Sequence, residues 1–193
     1  MNRISRYLTD DQHPFDRPEF ADRQRALQVL CLGIIVSTAL IVFAITLVVR
    51  YALGGRPILQ NGAMVNGIPI VTVVGAVLTL SAVAIAVLVV PRVWSAGWKR
   101  IATQPPPSPE PGTAPDTEAD RLWKLYGQGK FIEYGLGDGA AILTAILYHL
   151  SADWLMLVFV AGMLGFLIVR FPTRTRMRAW FDDALIRLGS QSP

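Results

Sequence analysis

The run ALQVLCLGIIVSTALIVFAITLVV, residues 26–49, decides the fold. It holds 24 residues without a charge, and about 20 apolar residues in a helix cross the ~30 Å hydrocarbon core of a bilayer. A second uncharged run of the same length, residues 67–90, closes on Pro91 and Arg92. Two such blocks predict two transmembrane helices, each long enough to tilt. The first starts behind a mixed-charge segment and ends in Val48-Val49-Arg50-Tyr51 rather than at a small-residue cleavage site. It reads as a retained anchor, not a signal peptide.

Further along, residues 131–150 form a third, less apolar span. A fourth, residues 154–170, offers only 16 uncharged residues, short for a crossing. Trp154 at one end is an interface anchor, and Arg170 at the other can snorkel. Ser151-Ala152-Asp153 between these spans is tight enough for a helical hairpin. The fold class expected is all-α: an integral membrane four-helix bundle of two hairpins.

The polar segments divide the rest. Residues 1–25 read as a cytoplasmic arm in which Pro14 and Pro18 break any long helix. Residues 50–66 form an outer loop with two Asn-Gly pairs, Asn61-Gly62 and Asn66-Gly67. Such pairs favour tight turns, so residues 57–65 close a small hairpin or remain an irregular loop. Residues 91–116, with Gln104-Pro105-Pro106-Pro107-Ser108-Pro109, read as an extended cytoplasmic linker. Order returns at Asp116-Thr117, an N-cap followed by Glu118 and Asp120. Leu122, Trp123, Leu125 and Tyr126 then make an apolar stripe, loosened at Gly127 and Gly129. In residues 171–193, Met177, Trp180, Phe181, Ala184 and Leu188 recur at helical spacing opposite arginines, which predicts an interfacial amphipathic helix lying on the bilayer.

Composition agrees with this frame. The chain is 52% hydrophobic and 17% charged, against about a quarter charged in a soluble domain. The net charge of +4 does not point to nucleic acid, because Lys and Arg flank apolar blocks and no basic run carries interleaved aromatics. The one cysteine, Cys31, lies in an apolar block without a second Cys for a disulfide or a metal site. Of 18 basic residues, 16 fall before span one, between spans two and three, or after span four; two fall in the first loop. The positive-inside rule then places both termini in the cytoplasm, and the location expected is the cell inner membrane.

A charge inside a span is costly and asks for a reason. Only Glu133 and Asp138 qualify. Counted back from the tight turn, Glu133 stands level with Arg170, which predicts a structural ion pair. Asp138 lies about five residues deeper, ~7 Å at the helical rise. Gly135 and Gly139, four apart, let a neighbouring backbone approach. Asp138, Ala141, Ala145 and His149 share a face, so Asp138 and His149 are candidates for an ion or proton site along a narrow polar cleft. The competing reading pairs Asp138 with Arg25, Arg92 or Arg170, or with Thr and Ser hydroxyls. On span two, Gly75, Thr79, Ala82 and Ala86 offer another small-residue packing face. No catalytic set, phosphate loop, haem-attachment motif or metal set is recognisable, so neither an enzyme nor a cofactor is expected.

Gly135-Leu136-Gly137-Asp138-Gly139-Ala140-Ala141 before a tight hairpin, with Phe171-Pro172-Thr173-Arg174 after the partner helix, resembles uncharacterised four-span bacterial membrane proteins in which that acid is typically Glu. The resemblance covers about residues 120–182 and implies no activity. A looser likeness is to the proteolipid c subunits of rotary ATPases, which also stack parallel hairpins with close glycines and a buried acid. Here the acid sits on the Gly-rich helix itself. The function expected is that of a non-enzymatic structural or accessory membrane protein whose partners are the lipid bilayer and a second copy or another membrane protein. The alternative is an ion or proton carrier centred on Asp138.

Overall fold

The computed structural model describes residues 18–52, 54, 64–65, 68–104 and 117–190. It is all-α, with five α-helices among the described residues: α1 Pro18–Leu47, α2 Ile70–Thr103, α3 Glu118–Ser151, α4 Leu155–Val169 and α5 Arg174–Ser190. A π-helical turn, Val48–Ala52, follows α1, and a two-residue antiparallel ladder pairs β1 Met64–Val65 with β2 Ile68–Pro69. By length and composition α1 with its π turn, α2 and α3 can each cross a membrane; α4 counts as a fourth only when joined with α5. The reason is length, since 15 residues of helix reach ~22 Å, short of the ~30 Å core.

Three expectations change. The second apolar helix starts at Ile70 rather than residue 67, because Ile68–Pro69 belongs to the ladder. That ladder flanks Asn66-Gly67 in sequence, while Asn61-Gly62 lies outside the described residues. The linker expected from residue 91 is helical as far as Thr103, despite Pro91 inside the helix. A proline there forfeits one backbone bond, but Trp94, Trp98 and Ile101, at spacings of four and three, give this stretch a stripe to bury. Residues 105–116 lie outside the described residues.

The chain divides into two compact units. The first comprises Met1–Leu30, Val90–Phe131 and Pro172–Pro193. Its helical segments start with strong local signals. At the N-terminus of α3, the Asp120 amide donates to Thr117 Oγ1 (3.2 Å) and the Thr117 amide to Asp120 Oδ2 (3.0 Å), a reciprocal capping box. Arg23 also donates to Asp120 at 2.5 Å. Burial pushes the Asp120 carboxyl up, but hydrogen bonds from the Thr117 hydroxyl, Arg23 and the Thr117 amide, with the Arg23 charge, outweigh it. The carboxyl is held below its ordinary 3.8.

The core of this unit is aromatic. Phe20, Trp98, Leu122, Tyr126, Met177 and Phe181 are buried together, with Trp94, Trp123 and Trp180 packed against them. Trp94 stacks on Tyr126 with centroids 5.9 Å apart, and Phe20 meets Phe181 edge-on at 6.2 Å. The indole N–H groups of Trp94, Trp98 and Trp180 are buried without a hydrogen-bond partner. Gly129 does not loosen α3. A Cβ there would run into the Trp94 ring, so the glycine makes room for it. On α5, Met177, Phe181 and Ala184 are buried in this core, so this part of its apolar stripe packs within the protein, while Trp180 and Leu188 are half-buried.

The second unit comprises Cys31–Val89 and Ile132–Phe171. Its core is built from small residues, with Ala82, Ala140, Ala141 and Ala145 around Val160 and Met163. Large apolar side chains point outward instead, among them Leu32, Leu40, Phe43, Leu80, Leu88 and Leu143. α3 and α4 are joined by a tight turn in which Ala152 takes φ 51°. The Leu155 amide donates to Asp153 Oδ1 at 3.0 Å, capping the start of α4.

Candidate functional site

The polar groups of the second unit sit on helices whose remaining positions are apolar, so each needs a partner nearby. α3 carries most of them. Glu133 is fully buried, and Arg170 Nε donates to its Oε1 at 2.5 Å, with the Arg170 side chain 36% exposed. The guanidinium also lies 5.9 Å over the Phe166 ring. A carboxylate in this setting requires such a charge-assisted bond, since removing its partner would leave a charge uncompensated. Tyr134, next in the chain and fully buried, donates to the Leu167 carbonyl at 2.9 Å.

Asp138 is half-buried. Thr38 of α1, fully buried, donates its hydroxyl to Asp138 Oδ1 and also lies 2.7 Å from the Ile34 carbonyl oxygen. Among the described residues, no basic side chain stands within ion-pair distance of Asp138; Arg170 is engaged with Glu133. Of the partners expected for Asp138, a hydroxyl is the one present.

Among the described residues, the positions between Asp138 and His149 are packed. Between Asp138 and His149, Ala141 and Ala145 are fully buried against apolar neighbours, and Thr144 is buried with them. Thr144 bonds the Ala140 carbonyl at 2.7 Å and meets Thr79 of α2 at 3.5 Å. Eleven residues of helix put His149 ~16 Å from Asp138, and His149 does not pair with Asp153. The Asp153 carboxylate instead accepts from the Thr72 hydroxyl of α2. Among the described residues, no group of three or more His, Cys, Asp or Glu is placed to hold a metal ion.

The packing glycines are also redistributed. Gly135 and Gly139 face open space, with no atom within 4 Å of an added Cβ, so this pair admits no neighbouring backbone among the described residues. Gly75 does lie in a contact, where a Cβ would stand 2.5 Å from Met156 Sδ. On α3 the close approach is at Gly137, where a Cβ would stand 2.6 Å from Leu167 Cδ2. Spacing cannot separate these alternatives, because Gly135, Gly137 and Gly139 alternate within one helical turn. Sequence reasoning missed Thr38, Thr72, Thr144 and Tyr134. The signal available was a hydroxyl in an otherwise apolar run, which a nearby carboxylate or carbonyl must satisfy.

Comparison of the chain with protein-family models, with curated proteins and with solved structures returned no match.

Proposed function

We propose that this chain is a multi-pass integral protein of the cytoplasmic membrane, with four crossings and both termini inside, that works as a non-enzymatic structural or accessory component. One observation carries the functional part. The polar side chains of the second unit join one helix to another instead of converging on a point. Thr38 ties α1 to Asp138 on α3, Thr79 ties α2 to Thr144 on α3, and Thr72 ties α2 to Asp153 in the turn. Glu133 and Tyr134 tie α3 to the end of α4. Polar contacts of this kind fix helix packing in lipid, where apolar burial between helices contributes little.

The topology is supported by the apolar helices and by the distribution of 16 basic residues against two. Trp154, exposed at the start of α4, is the anchor for the short fourth crossing. One feature favours a second reading, an ion or proton carrier: Asp138 is only half-buried and is held by a hydroxyl rather than a cation. Carbodiimide labelling of the protein in bilayers across pH, with Asp138→Asn as control, separates the two. The structural reading expects no labelling of Asp138 at any pH, and Asp138→Asn to weaken folding without any ion flux to lose. Labelling at Asp138 that fades as pH rises, with flux abolished in a well-folded Asp138→Asn, would replace it with the carrier.

A further inference from the structure

We draw no further inference here: the strongest candidate, the face of α3 along Gly135 and Gly139, is a stripe of small residues with open space beside it, and nothing among the described residues shows what covers it.

Discussion

The two units bury their interiors by opposite means. In the first, large rings pack face to edge, and Phe20, Tyr126, Trp180 and Phe181 fill space as in a water-soluble core. In the second, alanines, threonines and Gly137 bring helices close while leucines and Phe43 face outward. In water, burying a ring removes apolar area from solvent. In lipid that drive is absent, and close contact with hydrogen bonds takes its place. The two cores thus differ in kind: rings fill one, and small side chains bring helices together in the other.

The largest effect should come from the aromatic core. Phe181→Ala, at a fully buried ring, is expected to destabilise by about 3–5 kcal/mol, measured as loss of denaturant or thermal resistance in detergent. A cost below 1 kcal/mol would mean that the cluster does not behave as a core. Next is the ion pair of the second unit. Arg170→Gln should cost about 2 kcal/mol, reduced from a fully buried pair by the exposure of Arg170. Glu133→Gln/Arg170→Gln should recover part of that loss, and a double variant worse than both singles would show that Glu133 is held by something else.

The glycines give a sharper contrast. Gly129→Ala must displace the rigid Trp94 ring and should cost about 1–3 kcal/mol. Gly139→Ala, with open space around it, should instead stabilise α3 by about 0.5–1 kcal/mol through helix propensity. A destabilised Gly139→Ala would reveal another helix seated there. Thr38→Val tests the hydroxyl tie to Asp138, and about 0.6 kcal/mol is expected from interhelical bonds of this kind. Smallest is the pH dependence at Asp120. Its carboxyl is depressed on folding, so its contribution is complete above 3.8 and is lost as pH falls through the lower folded value. Asp120→Asn should flatten that acid limb, and an unchanged acid limb would mean the Thr117 and Arg23 contacts carry no linkage.

The sequence was most informative where physics acts over a long window. Uncharged runs located α1 and α2, and the Thr117 cap located the start of α3. It was least informative where a choice depends on which neighbour arrives. Residues 91–103 looked like linker because proline signals a break, yet Trp94, Trp98 and Ile101 find a core that keeps them helical. The α5 stripe has the pattern of a helix on a bilayer, and nothing in its own residues says that Phe20, Leu122 and Trp98 will cover it. Likewise, Glu133 with Arg170 was legible from counting residues around a turn, whereas Asp138 with Thr38 depends on the rotation of α1.

The first unit is assembled from three stretches that lie far apart along the chain, and α5 follows all the other described helices in order. Its aromatic core therefore cannot close while a ribosome is still making α1, α2 or α3. Phe20, Trp98, Leu122 and Tyr126 must wait as an uncovered apolar surface until Met177 and Phe181 emerge. Non-local closure of this kind is slow and open to aggregation. A chain ending before residue 174 would lack Met177, Phe181 and Ala184, and with them part of the cover over Phe20, Leu122 and Tyr126.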